Sequence, residues 1–251
     1  VKDFAGGLVV HLTCGVGALV IALVLGPRKG FPSTAMPPHN RTMVITGAAL
    51  LWVGWFGFNA GSSWAADGLA GMAMLVTHIS AATGALTWMA IEWIRGGKPT
   101  IVGIATGMVA GLATITPAAG SVGPEGAILI GLMAGSICFY ATLTVKGVLG
   151  IDDSLDVFPV HGIGGVIGII MVSFLGVKGG FLGSSAGEEW IPMEQFMIQL
   201  KGIFIIGLWT AVASWVILRA ISIFTPLRVT EEEEYEGLDI AEHEERSYDL
   251  I

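Results

Sequence analysis

Seven stretches of this chain are apolar for about 20 residues or more, at roughly 5–25, 42–62, 70–94, 101–119, 123–145, 157–176 and 196–225. A bilayer core is ~30 Å thick and about 20 helical residues cross it. Each stretch is therefore predicted to be a transmembrane helix, and the fold class is an all-α polytopic membrane protein with seven spans. The last run, Phe196 to Phe224, reaches about 43 Å as a helix, so it tilts or continues past the membrane. Composition agrees: 53 % of residues are hydrophobic and 13 % charged, against about a quarter charged in soluble domains. Two regions are expected, a transmembrane part over 1–226 and an acidic cytoplasmic tail over 227–251.

Charge sets the orientation. Arg28, Lys29 and Arg41 follow the first run, Arg95 and Lys98 the third, Lys146 the fifth, and Arg219 and Arg228 close the last. The loops after the second and fourth runs hold no Lys or Arg, and the one after the sixth sets Lys178 against Glu188, Glu189 and Glu194. The positive-inside rule then places residue 1 outside and the tail in the cytoplasm, in a multi-pass protein of the cell membrane. The net charge of −8 comes from the tail, which carries ten of the 20 acidic residues between Glu231 and Asp249. Such an acidic run reads as a solvated or disordered end. No basic excess suggests nucleic acid. Cys14 and Cys138 lie in apolar runs and read as small buried hydrophobes. The chain opens directly at a span without a Met, and an N-terminally truncated fragment is expected.

Two histidines stand in a repeated frame. Val10-His11-x-x-x-Gly15-Val16 matches Val160-His161-x-x-x-Gly165-Val166 at an offset of 150, and Leu25-Gly26 matches Leu175-Gly176. Ionisable residues within spans mark functional sites, and internal symmetry between halves marks many transporters. On the predicted topology the two helices are antiparallel, and both histidines approach the midplane as parts of one pore. Facing imidazoles can share one hydrogen bond through complementary tautomers, in a neutral pair. Such a pore lacks the carbonyl or carboxylate rings that solvate a bare metal cation, but passes a small neutral molecule that forms hydrogen bonds. Ammonium can shed a proton at the entrance, cross as ammonia along the imidazoles and be reprotonated inside. Potassium has no proton to lose.

Other features carry less. Gly103-x3-Gly107-x3-Gly111, Gly131-x3-Gly135 and Gly164-x3-Gly168 are spaced for close helix packing. Trp52, Trp88, Trp93 and Trp190 suit interfacial anchors near span ends. His78 reads as a packing residue. Trp55-Phe-Gly-Phe58-Asn-Ala-Gly-Ser62 ends the second run; its rings are either interfacial anchors or a gate that attracts a cation, with the Ser62 hydroxyl as acceptor.

Four motifs, Asp3-Phe-Ala-Gly-Gly-x-x-Val-His11, Trp55 to Ser62, Asp152-Asp-Ser-Leu-Asp-Val-Phe-Pro-Val-His161-Gly and Gly237-Leu-Asp-x-x-x-His243, resemble the ammonium transporter (Amt/Mep/Rh) family. They occur in that family's order over nearly the whole chain. The resemblance implies an eleven-helix fold of two inverted halves plus a long last helix, assembled as a homotrimer with one pore per subunit, of which the seven runs match the fifth to eleventh helices. It implies that His11 and His161 are the twin pore histidines, that Phe58 is one ring of a stacked phenylalanine gate, and that Ser62 contacts ammonium in the outer vestibule. Trp55 shares that motif, and Asp3 supports the outer site rather than binding there. It further implies a PII-type signalling protein docking on the cytoplasmic face, and a tail that couples subunits. No cofactor or metal is implied. Two departures stand out: the first four family helices are absent, with part of the site, and His243-Glu244 replaces the common His-Gly, which puts the tail's turn in question.

An ammonium transporter or channel, and not an enzyme, is the expected function. A sensor of the same fold is one alternative. An unrelated seven-helix receptor is another, although no lysine sits mid-span in the last helix to hold retinal. A haem protein with iron between the histidines is a third. Zinc-protease chemistry lacks its His-Glu-x-x-His.

Overall fold

A computed structural model describes residues 1–176, 192–246 and 248. Among the described residues all regular structure is helical: α1 Gly7–Leu25, α2 Arg41–Gly61, α3 Gly68–Gly96, α4 Ile101–Ile115, α5 Pro124–Val148, α6 Phe158–Leu175, α7 Pro192–Ile221, and two tail helices, α8 Glu231–Glu236 and α9 Leu238–His243. Six of these are long and apolar enough to cross a membrane. The fourth predicted span differs. At 15 residues, α4 rises about 22 Å, and 116–121 turn instead of continuing the helix. Pro117 cannot donate to the ladder, and the residues from Leu112 to Ala119 are buried by protein rather than lipid. Broken backbone is tolerated there because it finds partners: Phe4 N–H donates to Pro117 O at 3.0 Å, and Ala118 N–H to Ile115 O at 2.8 Å.

Helix starts follow local chemistry. Asn40, Asp67 and Thr100 cap α2, α3 and α4 by accepting the N–H of Met43, Ala70 and Gly103, and Pro124 occupies the first turn of α5. The glycine spacing does what packing requires. Gly84, Gly107, Gly111, Gly131 and Gly135 each face backbone or the near atoms of a side chain (Trp88 at Gly107, Thr83 and Thr87 at Gly131 and Gly135) across the interfaces of α3 with α4 and α5, where a Cβ has no room. Tryptophan placement is mixed. Trp93 is exposed, but Trp88 is buried in a core with Phe139, and Trp52 meets the His78 ring in a tilted arrangement with centroids 5.0 Å apart. Trp190 lies outside the described residues.

α1 and α6 cross antiparallel at the centre. The start of α1 meets the later turns of α6, while Arg28, just past the end of α1, reaches Asp152 before α6. At the crossing, a Cβ on Gly15 would meet Gly162 Cα and N, and one on Gly165 would lie 3.0 Å from Gly7 O and 3.3 Å from Leu12 N. Residue 15 thus faces 162 while 165 faces 12, a pairing unchanged when the two 150-residue frames are exchanged. α7 packs on both helices through Ile203 and Ile206 against Leu8, Leu12 and Ile169, and its buried Gln199 donates to Lys2 O, ahead of α1, at 2.6 Å and to Ile169 O of α6 at 3.0 Å.

The tail is not a disordered end over its described length. Thr230 and Glu233 form a reciprocal capping box that starts α8. Arg228 donates to Leu25 O, Pro27 O and Glu234, and Glu234 also accepts Lys29 N–H at 2.7 Å. Arg28 clamps Asp152 through Nε and Nη2, both at 2.8 Å, which holds that carboxyl below its ordinary range. The turn at His243-Glu244 forms with Glu244 at φ 55°, the left-handed conformation that glycine adopts freely.

Two matched substitutions test this architecture. Gly15→Ala and Gly17→Ala gain the same helix propensity, but a Cβ at Gly17 meets only Ser214 Oγ at 3.6 Å. Gly15→Ala is expected to cost about 1–3 kcal/mol and to lower the melting temperature of the detergent-solubilised protein by about 2–10 °C, with Gly17→Ala neutral or stabilising. Equal effects would show that the crossing is not tight. In the tail, Glu244→Gly should relieve about 1 kcal/mol of backbone strain, seen as roughly fivefold slower amide exchange over 240–245; unchanged or faster exchange would count against the left-handed turn.

Candidate functional site

The two repeated frames begin alike. Asp3 accepts the N–H of Gly6, Gly7 and Leu8 at 3.2, 2.5 and 2.8 Å, and the chain enters a π-helical turn over Gly7–Leu12 that carries His11. Phe158–Ile163 is likewise π-helical and carries His161, with Pro159 in its first turn, where a missing N–H is harmless. The glycine crossing brings the histidines together: Nδ1 of His11 lies 3.1 Å from Nδ1 of His161, and the rings stack at 5.2 Å between centroids and 27° between planes. One nitrogen must donate and the other accept, so the tautomers are complementary. At that separation no metal ion fits between them in line, because a metal–nitrogen bond is about 2 Å long.

Trp55 and Phe58 of α2 enclose this pair. Trp55 lies nearly parallel to His11, with centroids 5.3 Å apart and planes 10° apart, and Phe58 meets the same ring edge-on at 6.0 Å. The buried Trp55 Nε1 donates to Thr116 Oγ1 at 2.9 Å, which ties the stack to the broken end of α4. Both rings therefore line the pocket beside the histidine pair. His11 Nε2 is buried with no hydrogen-bond partner among the described residues. The pair opens on a cavity of about 550 Å³ whose other walls are apolar, among them Val10, Leu50 and Leu51. Cys14 lines the same cavity and is exposed to it, whereas Cys138 is buried as expected.

Not every expected site residue joins this cluster. Ser62 is half-buried one turn beyond Phe58 and donates to Phe58 O at 2.8 Å, so its oxygen lone pairs are available to accept. Asp3 is spent on backbone N–H groups and does not touch the histidines. Asp156 pairs with Lys146 at 2.8 Å; burial raises its carboxyl above the ordinary range, and Lys146 opposes that. A residue the sequence reading passed over is Asp153, buried and accepting Val157 N–H at 3.1 Å and Phe158 N–H at 2.7 Å. Its signal was available, since Asp153 stands 150 residues after Asp3.

Comparison with known proteins accords with this arrangement. The family model of the Ammonium Transporter Family matches residues 1–248. The ammonium transporter of Bacillus subtilis is 42 % identical over 246 residues, covering 98 % of this chain and 60 % of that protein. A putative ammonium transporter of Methanothermobacter thermautotrophicus is 44 % identical over 251 residues, covering all of this chain and 61 % of that protein. Among solved structures, Saccharomyces cerevisiae Mep2 superposes with a TM-score of 0.84 at 39 % identity over 96 % of this chain and 56 % of that one. A sensor Amt protein superposes at 0.86 with 32 % identity, over 96 % and 60 %. The chain spans about three-fifths of the length of the curated relatives it matches, and no feature of it favours an unrelated receptor. From the match along nearly its whole length, the chain belongs to the ammonium transporter family.

Proposed function

We propose that this chain forms the histidine-bearing part of an ammonium transporter, which takes up ammonium, releases its proton before the narrow segment, and conducts ammonia past His11 and His161. One observation carries this reading: a hydrogen-bonded imidazole pair in an apolar cavity, with a ring nitrogen of His11 buried and without a hydrogen-bond partner among the described residues. Ammonia both donates and accepts hydrogen bonds, so it can satisfy such nitrogens in passing without bringing a net charge into low dielectric. An alkali cation finds no ring of oxygens there to replace its hydration shell.

The other residues take roles around that pair. The faces of Trp55 and Phe58 attract a cation and exclude water, and Ser62 Oγ accepts an N–H of ammonium before deprotonation. Asp3 holds the π-helical turn that carries His11. The basic residues that cluster with the tail set that end in the cytoplasm and residue 1 outside. Subunits associate as trimers, and the tail face is where a PII-type protein docks.

The test is ammonium-evoked current in proteoliposomes, with the protein expressed from its full reading frame. We expect a saturable ammonium current and none with potassium. His11→Ala or His161→Ala should reduce the ammonium current by roughly tenfold or more, or admit potassium. Wild-type currents and selectivity in both variants would sink the role of the pair. The likeness to a sensor Amt protein supports a second reading, in which ammonium binding signals through the tail. Folded protein giving neither current nor an ammonium-driven internal pH change, but an ammonium-dependent change in tail exchange, would favour it.

A further inference from the structure

The 150-residue echo runs one feature further than the histidines. Asp3 precedes His11 by eight residues, and Asp153 precedes His161 by eight. The contacts repeat with the spacing. Asp3 accepts N–H groups four and five residues on, from Gly7 and Leu8, and Asp153 accepts those four and five residues on, from Val157 and Phe158. Each carboxylate thereby opens a six-residue π-helical turn containing the histidine. The neighbouring acids are engaged otherwise, Asp152 by Arg28 and Asp156 by Lys146. Among the described residues of this loop, Asp153 is thus the acid that meets the helix start.

We propose that Asp153 is the positioning residue for His161, as Asp3 is for His11, an inference that rests on reading the histidine pair as the conducting element. A helix start leaves N–H groups unsatisfied, and a buried carboxylate is a strong acceptor for them. With Oδ1 on Val157 and Oδ2 on Phe158, the carboxylate fixes the first turn in two directions. His161 lies three residues past Phe158, on the same stiff segment, and its ring must stay within a narrow range. The Nδ1–Nδ1 distance is 3.1 Å, and a displacement of about half an ångström takes it outside hydrogen-bond range. The glycine crossing sets the approach of the helices, and the Asp153 cap sets the rotation and height of the ring within it.

The experiment reads geometry and conduction separately. Protein from the full reading frame, labelled with ¹⁵N-histidine in lipid, gives the ring-nitrogen spectrum of the pair, and the same preparations give ammonium currents. Asp153→Ala is expected to abolish the paired donor–acceptor Nδ1 signature and to reduce current roughly ten- to a hundredfold. Asp153→Asn retains one oxygen acceptor, so it should shift that signature in part and reduce current by less. Asp152→Asn, which loosens only the Arg28 clamp, should leave the signature as in the parent. If Asp153→Ala does not fold, Asp153→Asn decides. A parent-like histidine spectrum in a folded Asp153 variant overturns the proposal, as does an equal change in Asp152→Asn. Should the histidine substitutions leave conduction intact while Asp153→Asn still shifts the spectrum, the pore reading falls and the positioning role stands.

Discussion

Everything at the centre of this molecule depends on one hydrogen bond between two imidazoles in an apolar setting. Such a bond is worth little in water and much where no water competes, but only if both rings are held in register. The register comes from a backbone crossing too close to admit a side chain at Gly15. At Gly15 and Gly165 the helices approach so closely that a methyl group would meet main-chain or Cβ atoms of the other helix. Small residues are usual at membrane helix interfaces because the bilayer supplies no hydrophobic drive between helices, and contact must come from packing. Here that packing also sets the distance between two imidazole nitrogens.

Close approach fixes separation but not rotation, and for that the structure uses acids. A carboxylate at the start of each half-repeat meets the N–H groups that a helix cannot satisfy internally, and a π-helical turn follows. The π-helical turn displaces the histidine from where a regular α-helix would carry it, so each ring is aimed by an irregularity that the cap stabilises. The loop that holds Asp153 is braced in turn by Asp152 on Arg28 and Asp156 on Lys146, and the strand of chain bearing Arg28 and Lys29 is gripped by Arg228 and Glu234 of the tail. A continuous set of ionic and hydrogen-bonded contacts therefore joins the tail to the segment of His161.

Much of this was legible in the residues, for physical reasons that differ by element. Long apolar runs announce helices because only helices satisfy their own backbone in lipid, and six of seven have the predicted length class. α4 escaped because hydropathy does not distinguish a helix surrounded by lipid from one surrounded by protein; Pro117 was the only hint of its early end. Trp88 misled similarly, since its place near a span end said nothing of which side it faced. His11 and His161 were legible through their shared frame, whereas Asp153 was hidden among three acids within five residues. Cys14 reads as core until the crossing shows that its side of α1 borders the cavity. In the tail, net acidity argued for solvation, but Thr230-x-x-Glu233 is a capping signature that composition averages away.

The near-symmetry of the two histidine frames is broken by what surrounds them. Both histidines sit after an acid cap, on a π-helical turn, beside a glycine that faces the other helix. Their surroundings nevertheless differ. His11 is stacked on Trp55 and touched by Phe58, while His161 lies 6.5 Å from Trp55, with its segment packed toward α5. A symmetric scaffold with equal surroundings would leave the shared proton indifferent between two equivalent tautomer pairs. Unequal surroundings remove that degeneracy, so the repeated backbone supplies distance and aim while the contacts with α2 distinguish the two tautomer pairs.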